Sequence, residues 1–342
     1  MIIKLRQYII SNFMKIGFDP IQYIDDKFNN INNSSKYEIG KFSFGNRNKD
    51  KIFYVIKIVP GAGFFSNLAY VIKNLDIANK NKYIPIVDMC NFPTMYNQKR
   101  NINNKKNVWE IFFKQTSNFK LKDVYKSKNV YFSPNTLKFR LEVFKSRRLK
   151  RIFDNYISIN PEILKKSNTF CSKNFKKKKI LGIHFRGTDQ KISAGHALPP
   201  TIYEIQKLID KKLKKQNFDK IFLLTEELDY FSKLKKRYGN LICGYNFFRS
   251  NNAKDFSING RKNHRNRLGI ESLIETITLS RCHEIIYCET NISLFSIFYS
   301  NFKIKCFHLN KGFKSNKIYI SKFEWYVRFL IPDYLKSIIK LS

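Results

Sequence analysis

The chain has 342 residues, 43% of them hydrophobic, and carries 64 Lys and Arg against 26 Asp and Glu, a formal net charge of +38. That hydrophobic share excludes a disordered chain, and 13 Gly, 9 Pro and 6 Cys exclude collagen-like and disulfide-dense proteins. At about 150 residues per domain, the length allows two domains with cores of their own.

The excess charge invites a nucleic-acid reading. However, it is mostly Lys, is spread along the chain, and travels with abundant Asn, Ile, Phe and Tyr. A partner-shaped interface would concentrate the charge, so no nucleic-acid partner is expected. A basic surface of this kind still attracts anionic lipid or a phosphate-bearing substrate. Cys90, Cys171, Cys243, Cys282, Cys288 and Cys306 form no Cys-x-x-Cys pair, and most lie in apolar runs. Reduced thiols in a reducing compartment are expected, with no metal site. Residues 1–18 carry Lys4, Arg6 and Lys15 among apolar residues, so no secretory signal is read there. No window is long and apolar enough for a membrane span. A cytoplasmic protein, soluble or peripheral on the inner face of the membrane, is expected.

Residues 1–50 combine a basic amphipathic start with an Asn-rich stretch and read as a loose N-terminal segment. Residues 52–59 (IFYVIKIV) read as a buried strand, broken by Pro60, Gly61, Ala62 and Gly63. Phe65, Leu68, Val71, Ile72 and Leu75 follow at helical spacing, and 83–89 (YIPIVDM) is a second strand. This strand, turn, helix, strand unit predicts a parallel sheet. Residues 108–115, 137–153 and 162–171 read as helices.

The lysine run 176–179 leads into strand 180–185 (ILGIHF). Helix 202–213, strand 220–224, helix 229–237 and strand 241–245 follow. Residues 249–267 read as a polar, basic loop without periodicity. Helix 270–280, strand 284–288, helix 292–299 and strand 304–309 complete a second doubly wound α/β pattern. The expected organisation is residues 1–50, a first Rossmann-like domain over 51–175, a second over 176–312 and a helical segment over 313–342. The last segment is aromatic and basic, suited to packing on the body or touching a membrane.

Ligands of such sheets bind at the carboxyl ends of strands. The strongest signal there is His184, Phe185, Arg186, Gly187, Thr188 and Asp189, directly after a buried strand. Alternation puts His184 and Arg186 on the same side. Arg clamps phosphate with two parallel hydrogen bonds, Gly187 leaves room for a ligand, and Asp189 can hold Arg186. The same residues equally fit a loop salt bridge and a core histidine.

Gly61 and Gly63 enter a helix whose N-terminus favours anions, but no Walker lysine and no third glycine follows. A plain tight turn fits as well. Glu271 and Glu275 share a helix face, which equally describes a solvated face. Thr290 and Asn291 open a helix after a strand, as a phosphate site or as an ordinary N-cap.

Residues 182–189 (GIHFRGTD) resemble the His-x-Arg-Arg-x-Asp-Lys region of GDP-fucose-dependent fucosyltransferases: the alpha-1,6 type, the nodulation enzyme and the protein O-fucosyltransferases. Residues 221–227 (IFLLTEE) resemble that family's strand ending in Ala-Thr-Asp-Asp. Residues 273–291 resemble its helix, strand and Thr/Ser-rich turn, and 61–67 its Gly-rich loop. The resemblance is good over about residues 178–300 and weak over 52–115.

It implies a GT-B fold, with two Rossmann-like doubly wound domains facing a cleft, and metal-independent, inverting transfer of fucose from GDP-fucose. The implied partners are a GDP-sugar donor and a glycan or lipid-linked glycan acceptor, with no cofactor. Arg186 is implied to bind the diphosphate, His184 to lie near the nucleotide, and Glu275 to meet the guanine. Thr290 and Asn291 fall beside phosphates and ribose, with Gly61, Gly63, Gly187 and Glu226 also at the donor. The family's second Arg is Gly187 here and its Lys is Gln190, followed by Lys191. A downstream Glu proposed as base in the alpha-1,6 type aligns near Ala194, so His196 is the nearest replacement, with Asp189 and Glu226 as alternatives. Two other readings stay open: a GT-B enzyme using another nucleotide sugar, and a charge-driven nucleic-acid- or membrane-binding protein.

Overall fold

A computed structural model describes residues 41–57, 62–98, 106–134, 140–191, 193–251 and 261–330. The basic N-terminal segment, Gly61, most of the basic loop before residue 261 and the last twelve residues lie outside this set, so expectations on them are not addressed. The chain divides into two compact units, one of residues 1–164 with 259–273, the other of residues 165–258 with 274–342.

The first unit is built on β1 (Lys41–Phe42), β2 (Arg47–Lys57), α1 (Phe64–Lys80) and β3 (Ile84–Asp88). Two single-turn helices follow, α2 (Trp109–Phe112) and α3 (Leu121–Val124), then β4 (Ser127–Phe132), α4 (Arg140–Val143) and α5 (Arg147–Tyr156). The sheet order is β1-β4-β2-β3, parallel throughout except for β1. Alternation along β2 drives Phe53 and Val55 into one core with Ile86, Val124 and Val130. Tyr54 faces the other way, and its hydroxyl donates to Asn74 of α1 at 2.8 Å.

The second unit holds most of α6 (Pro161–Asn174), β5 (Ile180–His184), α7 (Ile202–Lys215), β6 (Lys220–Leu224), α8 (Leu228–Tyr238) and β7 (Ile242–Cys243). After them come α9 (His264–Leu279), which begins in the first unit, β8 (Glu284–Tyr287), α10 (Asn291–Tyr299), β9 (Lys305–His308) and α11 (Ile318–Leu330). The five strands are all parallel, in the order β7-β6-β5-β8-β9. Each unit is thus a mixed α/β layer with a largely parallel sheet. All six cysteines are free thiols.

Three readings of the sequence are corrected. The helix expected over 108–115 is one turn, because Phe113 is extended (φ −138°, ψ 158°) and bridges Ile159. The helix expected over 137–153 is two helices, because extended Ser146 caps the second by accepting from the Leu149 N–H. Residues 264–267 are helical rather than loop: His264 and Asn266 are buried, and the Asn266 amide donates to the Tyr96 carbonyl at 2.7 Å. Among the described residues no helix is long and apolar enough to cross a membrane.

Candidate functional site

Strand order locates the site before any side chain is considered. In β7-β6-β5-β8-β9, the chain moves outward from β5 in one direction and from β8 in the other. The crevice of such a sheet opens beyond the carboxyl ends of the two central strands. His184 of β5 pairs with Tyr287 of β8 and with Leu224 of β6. Residues 185–191, 225–227 and 288–291 therefore leave the sheet at one edge, from strands about 4.8 Å apart.

Why β5 ends as it does follows from its alternation. Leu181, Ile183 and Phe185 are wholly buried against Ile205, Ile209, Tyr230 and Leu234. Gly182 faces the other layer, where a Cβ would stand 2.7 Å from Leu279 and 2.9 Å from Ile285. His184 shares that face and is fully buried, with neither ring nitrogen hydrogen-bonded. Burial, then the Arg186 charge, lowers its pKa to about 3, so the ring is neutral.

Arg186 is the next side chain on this face and is a third exposed. Its Nε lies 3.5 Å from Glu226 Oε1, and the same oxygen accepts from the Gly187 N–H at 3.0 Å. A carboxylate from the end of β6 thus binds the guanidinium and the adjacent backbone together. Gly187 has no room for any side chain: a Cβ would lie 1.6 Å from Glu227 Oε2 and 3.0 Å from Glu227 Cβ. Glu227 is buried and pairs with Lys191 at 2.5 Å. Where the resembling family carries a second arginine, this chain packs a buried acid.

Beyond β8, Thr290 caps α10. Its hydroxyl accepts from the Ser293 N–H at 3.2 Å, while Ser293 Oγ accepts from the Thr290 N–H at 3.1 Å. The Thr290 side chain is therefore engaged within the helix. What the turn presents is the helix N-terminus, begun by Asn291, with the backbone donors and positive dipole end that suit an anion.

Glu275 of α9 is buried and accepts from Arg249 Nη2 at 3.0 Å. Glu271 belongs to the first unit, where Arg261 grips both its oxygens. Gly63 is also in the first unit; it starts α1 with φ −61°, and a Cβ there would meet nothing within 4 Å. His196 lies exposed in the loop after β5, and its carbonyl accepts from the Lys314 N–H. Gly61 and the Asp189 side chain fall outside the described residues. Arg186, Gly187 and Glu226 are in direct contact, with Thr290 and Asn291 at the neighbouring strand end. Glu227 and Arg249 carried no expected role, and Lys191 was noted only as the residue after Gln190; the doubled Glu at the end of β6 was a visible signal for the first. Among the described residues no group of three or more His, Cys, Asp or Glu side chains is arranged to hold a metal.

No protein-family model matches the chain, and no curated protein matches it. Among solved structures it is similar to the fucosyltransferase NodZ from Bradyrhizobium, at 15% identity over 74% of this chain and 94% of that one, with a TM-score of 0.47. It is also similar to Arabidopsis thaliana FUT1 in complex with GDP (10% identity, 78% and 72% covered, TM-score 0.44). POFUT1 in complex with GDP-fucose gives 11% identity, 77% and 75% covered, and a TM-score of 0.36. These solved structures are fucosyltransferases, the group whose motifs the sequence resembles.

Proposed function

We propose that the chain is a glycosyltransferase, an inverting fucosyltransferase that moves fucose from GDP-fucose to a hydroxyl of a glycan or lipid-linked glycan, on a GT-B pair of Rossmann-like units. The observation that carries this is the pairing of Arg186 beyond β5 with the N-terminus of α10 beyond β8, at the switch point of the sheet. As the bond between sugar and diphosphate breaks, negative charge grows on the leaving oxygen. A guanidinium and a helix N-terminus stabilise that charge more in the transition state than in the ground state. The choice of guanine and fucose rests on the order of motifs over residues 178–300.

In this mechanism Arg186 holds the diphosphate and Glu226 holds Arg186. An ion pair between an acid and an arginine biases the direction of the fork that meets the phosphate. Neutral His184 lies beneath the nucleotide and adds no charge. The acceptor hydroxyl attacks the anomeric carbon from the face opposite the diphosphate and loses its proton to a base. Glu226 is already bound to the Gly187 N–H and Arg186, which favours a positioning role for it. His196, an imidazole on an exposed loop, is the favoured base over Asp189.

The test is ligand-induced thermal stabilisation with GDP and UDP. Stabilisation by GDP alone supports the reading; stabilisation by UDP alone replaces it with another nucleotide sugar. Steeply salt-dependent oligonucleotide binding without a GDP response replaces it with a charge-driven binder. Contact with an anionic membrane is part of the proposal, because α11 exposes Tyr319, Phe323 and Tyr326 on a basic chain. Co-sedimentation with vesicles that does not depend on their anionic lipid content contradicts it.

A further inference from the structure

Residues 312–325 run along the loop that follows Arg186. Ala197 and Phe313 form an antiparallel bridge. The N–H groups of Leu198 and Gly195 donate to the carbonyls of Gly312 (2.9 Å) and Ser315 (3.0 Å), and the Lys314 N–H donates to His196 (2.9 Å). Ser321 Oγ donates to the Ser193 carbonyl at 3.0 Å. Gly195 has φ +67°, and a Cβ there would stand 2.6 Å from Asn316 Oδ1. The loop is therefore moulded to the strap, and the positive φ at 195 favours glycine.

Two side chains carry this contact back toward Arg186. Lys314 is 4% exposed, and its ammonium donates to the Gln190 carbonyl. The Gln190 N–H closes a turn on the Gly187 carbonyl at 3.0 Å. Trp325 is 3% exposed, and its ring lies 5.7 Å from the ammonium of Lys191, which also sits 4.5 Å from the Tyr230 ring. Lys191 in turn holds Glu227, the acid that occupies the space beside Gly187. Both routes converge on Gly187, next to the phosphate-facing arginine. Lysine is almost never fully buried on a surface segment unless its charge is used.

We infer that the strap is part of the donor site, with Lys314 and Trp325 as positioning residues that set Arg186 and the Gly187 backbone against a nucleoside diphosphate. The inference rests on the donor-site reading above. The charge-assisted bond from Lys314 favours the ordered loop by about tenfold to a hundredfold, and its loss weakens binding by up to that factor because the ordered loop is what meets the phosphates. That loss should fall on the phosphates and spare the nucleoside.

The experiment titrates GDP and guanosine into the full chain, wild type and the variants Lys314→Met, Lys314→Arg and Trp325→Leu. Amide exchange at Gly195 and Leu198 is followed in parallel. The expected result is about a tenfold to hundredfold weaker Kd for GDP in Lys314→Met and Trp325→Leu, with guanosine unchanged, exchange accelerated and Lys314→Arg largely restored. Wild-type affinity for GDP in both Lys314→Met and Trp325→Leu overturns the inference alone, as does an equal loss for guanosine. A wild-type chain that does not bind GDP overturns the donor-site reading, and this inference with it.

Discussion

Arg249 and Glu275 allow a double-mutant test of what holds the end of β6 in place. The side chains are 5% and 11% exposed. Arg249 Nε donates to the Thr225 carbonyl (3.1 Å), Nη1 to the carbonyls of Tyr245 (2.8 Å) and Phe247 (3.3 Å), and Nη2 to Glu275. Its guanidinium also stacks 4.1 Å from the Phe231 ring. Arg249→Met removes all of these, including the cation that the buried Glu275 carboxylate accepts from. Breaking a buried pair from one side costs about 3–5 kcal/mol. The expected loss for Arg249→Met is therefore about 3–5 kcal/mol. The double variant Arg249→Met with Glu275→Leu should recover a large part of it, because the buried carboxylate is then removed together with its cation. Urea unfolding followed by fluorescence and circular dichroism measures both. GDP affinity should fall with Arg249→Met as well, because Thr225 directly precedes Glu226. A loss below about 1 kcal/mol for Arg249→Met refutes the reasoning. So does Glu275→Gln if it leaves stability unchanged and abolishes GDP binding, for that carboxylate would then serve the ligand alone.

Two further outcomes are expected. His184 is protonated in the unfolded chain below about pH 6.5 but stays neutral when folded down to about 3, so its contribution is complete above the first value and is lost as pH falls toward the second. Unfolding free energy should carry a slope of about 1.4 kcal/mol per pH unit in that window, absent from His184→Leu, and parallel curves for the two proteins contradict the burial. Gly187→Ala should displace Glu227 from Lys191, lower stability by about 1–3 kcal/mol and weaken GDP binding; unchanged stability and binding contradict the packing around position 187.

How far the fold could be read depended on how much of each element is buried. Strands 180–184 and 220–224 are apolar on both faces and were legible as short runs. β4 (SKNVYF) was not, because its pattern alternates polar and apolar residues weakly and only Ser127 and Val130 are buried. The start of α9 was hidden because His264 and Asn266 occupy buried positions and disguise the periodicity. At the candidate site, the placement of His184 and Arg186 at the end of a strand was legible from the apolar run before them. Lys314 and Trp325 were not, because their role depends on a contact between segments more than 120 residues apart. Arg249 lay in a stretch read as a polar, basic loop without periodicity, yet its side chain donates four hydrogen bonds.

The charge of +38 is a background against which one cation is singled out by its place in the fold. The most direct measurement is fucose transfer from GDP-fucose to a glycan panel, by the wild-type chain and by Arg186→Ala. Transfer by the wild type is expected, with a rate about a hundredfold to a thousandfold lower in the variant and its melting temperature and circular dichroism unchanged. Turnover by Arg186→Ala at the wild-type rate would contradict that expectation.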